Sequence, residues 1–431
     1  MKWTALLART AQHGSVATRT LVHIARRHME SRGLPVGFAA PEGARVGAGA
    51  GEDEVGVAIA AALERMGPVF IKLGQVLSAR PDIVPPWLVR SLARLRDDVS
   101  PVAAEDIIAR VEAELGHSYR IAFSSFEPVP IAVGSVAQVH RAVLRNGAVV
   151  AVKVRRPGAL EAARMDLRII EYMARALEKL PGFTSIPFLA LTRELTRALE
   201  AQFDLSREAL DMIRVREGIR DRTEVVIPRV HTLWSTQAML TMDYIDGLVP
   251  VDAIELSERE RVDLARSGLH AVYDMLFLNG LMHADLHPGN VFFLPGPRIV
   301  LLDFGLVATL AGRSRGDFRD FFRAMATNDG ATCARIVLDT AEAVGGSRDA
   351  FTRDMVAMVD RFAGLAVEDF EVAGFAVALF DTQRKHRVRG SADFTMTIVS
   401  LAVFEGILKT LHPGMDFQHE AQVYLDERTR C

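Results

Sequence analysis

The chain has 431 residues and a net charge of −3, with 49% hydrophobic and 24% charged residues. That length suggests about two to three domains or lobes around a sizeable core, and the near-neutral balance excludes a global pull toward nucleic acid or anionic lipid. Two cysteines, Cys333 and Cys431, give neither a disulfide framework nor a zinc spacing, which fits a reducing, cytoplasmic compartment.

Residues 1–34 carry Lys2, Arg9, Arg19, Arg26, Arg27 and Arg32 against one acid, Glu30, with Trp3, Leu6, Leu7, Leu21, Val22 and Ile24 between them. Two readings stand: a basic amphipathic helix in peripheral contact with a membrane, or a solvated terminus. Residues 35–53 are rich in Gly, Ala and Pro and read as a flexible linker. From 54 to about 116 the period is helical. Val57, Leu63, Val69, Leu73, Val76 and Leu77 form a buried stripe until Pro81, Pro85 and Pro86 break it, and further helices are expected near 86–96 and 103–115.

The period then changes. Strands are expected near 121–126, 136–144 and 148–155, the last two joined by a hairpin turn at Asn146-Gly147. Helices follow near 158–180 and 187–220, then strands near 224–234 and 237–244. Beyond Ser257 the chain reads as mostly helical, with short strands near 291–294 and 298–302. No uninterrupted apolar run reaches the roughly 18 residues of a transmembrane helix. The best candidate, Phe394 to Leu408, contains Glu405 and ends at Lys409, so a buried core helix is expected. The layout is α+β, with segments 1–53, 54–118 (helical extension), 119–246 (strand-rich lobe) and 247–431 (helical lobe).

The chemistry concentrates in His283-Ala284-Asp285-Leu286-His287-Pro288-Gly289-Asn290 and Asp303-Phe304-Gly305. Phosphoryl transfer needs a lysine for the phosphates, an acid to hold that lysine, a base, and oxygen ligands for Mg²⁺. An apolar strand, Ile299 to Leu302, delivers the Asp303 carboxylate, a hard oxygen ligand suited to Mg²⁺. Asn290 supplies an amide oxygen to the metal, and Asp285 orients or deprotonates the attacking hydroxyl. The interval from Asn290 to Asp303 leaves room for one β-hairpin. His283 and His287 have hydrogen-bonding or zinc use as alternatives, but zinc leaves Asp285 and Asn290 unexplained.

Val150-Ala151-Val152-Lys153 is a strand carrying one lysine, the candidate for the phosphates of ATP. A snorkelling edge lysine is the plain alternative. Glu208 is its expected partner, with Glu200 or a solvated acid as alternatives. In place of a Gly-rich loop the chain has Ala132, Val133, Gly134 and Ser135, whose backbone N–H groups are expected to cradle phosphate. Asp243 and Ile245, where the strand near 237–244 ends, complete the candidate nucleotide-binding set. Residues 306–320 lack an Ala-Pro-Glu sequence and move quickly into Gly312 and a helix. So short a segment offers little platform for a protein substrate and favours a small or lipid-like acceptor, or plain ATP hydrolysis.

With these motifs in order, the chain resembles the UbiB atypical kinase family across about residues 55–415. Lys72-Leu73-Gly74-Gln75 is similar to that family's K-x-G-Q signature, Ala132 to Ser135 to its Ala-rich loop, and Gln202-Phe203-Asp204 to its E-x-D element. Glu208-Ala209 matches the acid and alanine that follow. The resemblance implies a bilobal protein-kinase-like fold with an N-terminal helical extension, Lys72 and Gln75 directed at the nucleotide region, and large substrates blocked. It also implies ATP and Mg²⁺ as cofactors, a role in isoprenoid quinone (ubiquinone) or lipid metabolism, and membership of a lipid-biosynthetic complex. Read alone, Lys72 is a solvated lysine near a helix end at Gly74. Gln202 replaces the first acid of E-x-D, leaving Asp303 or Asp204 to pair with Lys72. Gly134 replaces an alanine, which loosens the loop, and Leu286 stands where the family has proline. Two rivals remain: an aminoglycoside- or choline-type small-molecule kinase, which lacks the extension, and a nucleotide-binding pseudokinase scaffold.

Overall fold

The structure, a computed structural model, describes residue 16 and residues 52–424, apart from 83, 96–98, 178–187, 311, 364–370, 418 and 422. The basic segment 1–34 lies outside the described residues save Val16. Chain order begins with helices α1 (Glu52–Met66), α2 (Pro68–Ser78), α3 (Pro86–Leu92) and α4 (Ala104–Leu115), followed by strands β1 (Phe123–Phe126), β2 (Ala132–Val133), β3 (Ala137–Leu144) and β4 (Val149–Arg155). Helices α5 (Ala159–Leu177), α6 (Phe188–Ala201) and α7 (Leu205–Gly218) lead to β5 (Val225–Val226), β6 (Met239–Asp243) and α8 (Glu258–Tyr273). Strands β7 (Leu281–His283), β8 (Val291–Leu294), β9 (Arg298–Leu301) and β10 (Val307–Thr309) precede α9 (Arg313–Ala326) and α10 (Gly330–Thr340). The chain finishes with β11 (Ala343–Val344), α11 (Arg348–Ala363), α12 (Val372–Lys385), β12 (Val388–Arg389) and α13 (Ala392–Leu411).

These elements form two compact units. One holds residues through Tyr119 with Glu127–His140 and Lys153–Asp204; the other holds Arg120–Phe126, Arg141–Val152 and everything from Leu205 onward. The borders differ from the expected lobes 119–246 and 247–431: α5 and α6 group with the helical extension, and α7 and β6 group with the C-terminal helices.

In the first unit, the single helix expected after Glu54 is two. Gly67 has φ +110 and Pro68 opens α2, because proline cannot supply the N–H that a continuing helix needs. The break restarts the phase of the apolar stripe. Val69 and Val76 are buried, but Val57 is 53% exposed. Val69, Phe70 and Val76 of α2 form one cluster with Val136, Ala137, Leu167 of α5 and Leu199 of α6. Gly74 lies inside α2, not at its end. A Cβ there would run into the Leu95 side chain and stand 3.1 Å from Leu63 and 3.3 Å from Leu92, so the glycine is a close-packing residue.

A polar network on β3 reinforces this unit. Gln138 and His140 are fully buried. The Gln138 Oε1 accepts the Val102 N–H, and its Nε2 lies 3.5 Å from the Val102 carbonyl and 3.3 Å from His140 Nε2. His140 Nδ1 donates to the Glu127 carbonyl at 2.8 Å. The amide therefore pins the chain just before α4 to the strand. Helix α6 ends in the tight turn 202–204, whose N–H groups reach carbonyls three residues back. That turn splits the helix expected over 187–220.

In the second unit, the hairpin at Asn146-Gly147 forms as expected. Gly147 has φ +86, and Asn146 Oδ1 accepts the Ala148 N–H at 3.1 Å. The five-stranded sheet, which is not confined to this unit, has the order β1-β3-β4-β6, with β2 on β3. A second sheet runs β5-β9-β8, with β8 and β9 antiparallel and β5 parallel to β9. The expected strand 224–234 shrinks to two residues, because the Asp243 N–H and His231 N–H tie the following stretch to β6 instead. Helix α8 starts with a Ser257/Glu260 capping box and runs into a π-helical turn, Asp274–Asn279. Gly280 follows at φ +64, where a Cβ would collide with the Leu310 carbonyl oxygen. Cys333 is buried, and its thiol is pushed up to about 12 by burial, which removes it as a nucleophile at neutral pH.

Helix α13 is the one described helix long and apolar enough to cross a membrane by length and composition. It packs against α8 and α12 and buries Phe394, Ile398, Leu401, Phe404 and Leu408, as expected of a core helix. Its buried Glu405 accepts the Ala373 N–H at the start of α12, and burial raises its pKa.

Replacing Gly74 with Ala should destabilise the protein by about 1–3 kcal/mol, the usual cost of overpacking a filled core. A lowered denaturant midpoint with an unchanged slope checks this.

Candidate functional site

The second unit gathers Asp285, Asn290, Asp303 and Glu208. Strand β7 pairs antiparallel with β10, His283 opposite Val307, and the Ala284 N–H reaches the Leu306 carbonyl at 2.9 Å. The loop between β7 and β8 therefore starts beside the chain that follows Asp303. Its turns are short: His287 N–H to Asp285 carbonyl at 2.9 Å, then Asn290 N–H to His287 carbonyl at 2.8 Å. Leu286 is buried and anchors the loop, while Asp285 and His287 are exposed, their side chains 3.8 Å apart.

Asn290 is buried, and its Nδ2 donates to the Asp285 carbonyl at 2.9 Å. That bond commits the nitrogen and orients the amide, so the oxygen is the atom turned to other work. The Asn290 backbone carbonyl accepts the Leu302 N–H at 2.9 Å. Asn290 is thus held next to the residue that delivers Asp303. Asp303 is exposed and takes φ +52, one of three described non-glycine residues with positive φ. Its Oδ1 accepts the Gly305 N–H at 3.1 Å, a local bond that supports the unusual backbone. Phe304 is fully buried.

His283 organises this loop. The ring is fully buried. Its Nε2 donates to the Leu302 carbonyl at 2.9 Å, and its Nδ1 accepts the Asp285 N–H at 3.2 Å. One donor and one acceptor fix the neutral Nε2–H tautomer, and burial holds its pKa below the usual 6.5. The ring lies 4.5 Å from that of Phe304. The His283 carbonyl accepts the buried Ser400 Oγ–H of α13 at 2.6 Å.

Glu208, in the first turn of α7, is only 4% exposed, which rules out a solvated acid. A Cβ on Gly305 would stand 3.9 Å from Glu208 Oε2 and 3.0 Å from Asp303 Oδ1. Two carboxylates therefore gather at Gly305, an arrangement that a cation stabilises. Glu200, the alternative, is a surface acid 3.7 Å from Arg164. Asp243 accepts from His231 Nε2 at 2.8 Å, and its N–H goes to the Arg229 carbonyl at 2.9 Å. Ile245 follows, half-exposed, beyond the end of β6. Among the described residues no group of three or more His, Cys, Asp or Glu is arranged to hold a metal. The candidate donor set is instead one carboxylate and one amide oxygen, which suits Mg²⁺ completed by phosphate oxygens.

The first unit holds Lys72, Gln75, the loop 132–135 and Lys153. Lys72 and Gln75 stand one turn apart on α2, and Gln75 Nε2 reaches the Leu95 carbonyl at 3.4 Å. Lys153 is half-buried on β4, an interior strand of its sheet, which removes the edge-lysine reading. Of the four N–H groups expected to cradle phosphate, that of Gly134 is committed to the Ala137 carbonyl at 2.9 Å. Ala132 and Val133 pair with Val139 and Gln138, so the loop is the tip of a tight hairpin. That bond ties the Gly134 N–H into the hairpin. Asp204 lies in the field of Arg155, whose Nη1 donates to the Phe203 carbonyl at 2.6 Å. Gln202 leaves its Oε1 buried without a hydrogen-bond partner.

Sequence reasoning missed Ser400 and the organising role of His283. A serine in an apolar helix carries no local signal, and its partner is 117 residues away. Removing that hydroxyl in Ser400→Ala should cost about 1–3 kcal/mol by leaving a buried carbonyl unpaired, read from thermal or denaturant unfolding. Because burial depresses the His283 pKa, the unfolded state binds that proton more readily. Stability should be complete above the unfolded value of 6.5 and fall as the pH drops below it. Unfolding free energy measured from pH 8 to 5 checks this, with a shallower acid limb expected in His283→Gln.

The ABC1 atypical kinase-like domain matches residues 94–337. The chain is 30% identical over 363 residues to the uncharacterized protein slr0889 of Synechocystis sp., covering 80% of this chain and 88% of that protein. It is 30% identical over 379 residues to the "Probable protein kinase UbiB" of Marinobacter nauticus, covering 86% and 69%. Among solved structures, the erythromycin complex of Rv3197 from Mycobacterium tuberculosis superposes with a TM-score of 0.55 at 24% identity, covering 81% of this chain and 90% of that one. The fold is α+β and kinase-like.

Proposed function

The chain belongs to the ABC1 atypical kinase-like family, and on that premise we propose that it is an ATP- and Mg²⁺-dependent phosphotransferase or ATPase supporting isoprenoid quinone or lipid metabolism. The observation that carries this reading is the coupling of Asn290 to Asp303. The Asn290 amide is locked by the Asp285 carbonyl, and its backbone holds Leu302, the residue before Asp303. Asp303 and Asn290 would hold Mg²⁺, which neutralises phosphate charge when bound. Asp285, exposed at the front of its loop, orients or deprotonates the attacking hydroxyl or water. Lys153 serves the phosphates and Glu208 serves Lys153. The 132–135 tip, Lys72, Gln75, Asp243 and Ile245 serve the nucleotide.

The acceptor is small or lipid-like. After Gly305 the chain goes directly into β10, which is paired to β7, and α9 starts at Arg313. No long segment is left there to receive a protein. The Marinobacter nauticus relative is named a probable protein kinase, so the quinone role rests on the family resemblance; the K-x-G-Q helix, whose apolar residues cluster with Val136 and Ala137, favours that family over small-molecule kinases. A peripheral membrane contact and a lipid-biosynthetic complex belong to the same proposal.

Purified protein should turn over ATP. Asp303→Asn, Asp285→Asn and Lys153→Ala should each lower turnover by about 10²-fold or more, the range for removing a general base or charge stabiliser. Equal turnover in all four proteins sinks the assignment. Lipid profiling of a cell lacking the protein, quinone first, tests the pathway.

A further inference from the structure

Arg155, which ends β4, and Arg156, which follows it, take their side chains to different partners. Arg155 turns to the Phe203 carbonyl. Arg156 turns to the hairpin tip: its Nη1 donates to the Gly134 carbonyl at 3.3 Å and its Nη2 to the Ser100 carbonyl at 2.9 Å. Its own N–H donates to the Val136 carbonyl at 2.9 Å. One residue thus grips the tip on both sides of Ser135 and ties it to the chain entering α4. All of these residues lie within the first unit.

The consequence follows from peptide geometry. In a trans peptide the carbonyl and the next N–H point in opposite directions. Holding the Gly134 carbonyl therefore sets the direction of the Ser135 N–H, on the opposite side of that peptide plane. Glycine is the residue at which such a plane turns over most easily, so position 134 is where an external restraint matters most. A guanidinium fork bridges two carbonyls in a fixed plane, which a lysine ammonium does not.

We propose that Arg156 is a positioning residue for nucleotide binding, which holds the Gly134–Ser135 peptide in its phosphate-cradling orientation and couples that tip to residues 99–102. This rests on the nucleotide-site reading of the 132–135 loop given above. Arg156 acts on affinity through the loop backbone and takes no part in proton transfer.

The experiment uses the full chain with MgADP as the binding probe and ATP turnover as the kinetic one, in wild type, Arg156→Met and Arg156→Lys. Circular dichroism and thermal unfolding report folding. Loss of two charge-assisted bonds should weaken MgADP binding and raise KM for ATP by about tenfold or more, with kcat within about threefold of wild type. Arg156→Lys, which keeps one charge but not the fork, should fall between the two. It decides the matter if Arg156→Met does not fold. Unchanged affinity in a folded variant overturns the inference, as does a loss confined to kcat. A wild-type chain that binds no MgADP overturns the nucleotide-site reading and this inference together, an outcome distinct from failure in the variants alone.

Discussion

The loop from His283 to Asn290 depends on one buried imidazole. An imidazole that donates from one nitrogen and accepts on the other joins two stretches of backbone at a fixed spacing. His283 joins Leu302, which precedes Asp303, to Asp285. Each end of the candidate chemistry is therefore set by the same ring. Burial makes this arrangement strict. A protonated ring would have two donors and lose its bond from the Asp285 N–H, while bearing a charge away from water. The surrounding structure favours the neutral form that the geometry needs, and the contact with Phe304 fills the remaining face.

The first unit uses a different constraint, close approach. Gly74 lets α2 settle against Leu95 and Leu92, and the apolar face of α2 covers Val136 and Ala137. These two residues follow the hairpin tip directly. The same helix that carries Lys72 and Gln75 therefore packs against the residues that follow the loop at 132–135, while Gln138 and Arg156 attach the hairpin to the chain before α4. Packing and hydrogen bonding converge on a four-residue tip, which explains how a hairpin with one glycine keeps a defined shape.

Much of this was legible in the sequence, for reasons that differ by element. The Asn146-Gly147 turn and the strands beside it follow from local chemistry, since a type of turn selects its residues. The segment 283–290 and Asp303 were legible because their spacing is a local constraint that a loop and a hairpin can meet. Other features depend on distant neighbours. Gly74 looked like a helix end because its partner, Leu95, is 21 residues on and outside any local window. Val57 fitted the stripe only for an unbroken helix. Strands β2, β7 and β10 have two or three residues, too few to show a period of two. Position along the chain could not tell that Glu208 is buried while Glu200 lies on the surface.

Ser400 reaches back across 117 residues to the His283 carbonyl. Most of the loop's other supports come from residues before Leu310, so they are available as soon as that part of the chain is made. The hydroxyl of α13 is not. During synthesis the loop therefore exists first in a provisional state, with one buried acceptor waiting for a helix near the C-terminus. The candidate chemistry is completed late, by the last long helix of the described chain, and any nascent or shortened chain that stops before it lacks that final restraint. The apolar helix that resembles a membrane span by composition thus serves as the closing piece of the 283–290 loop's support.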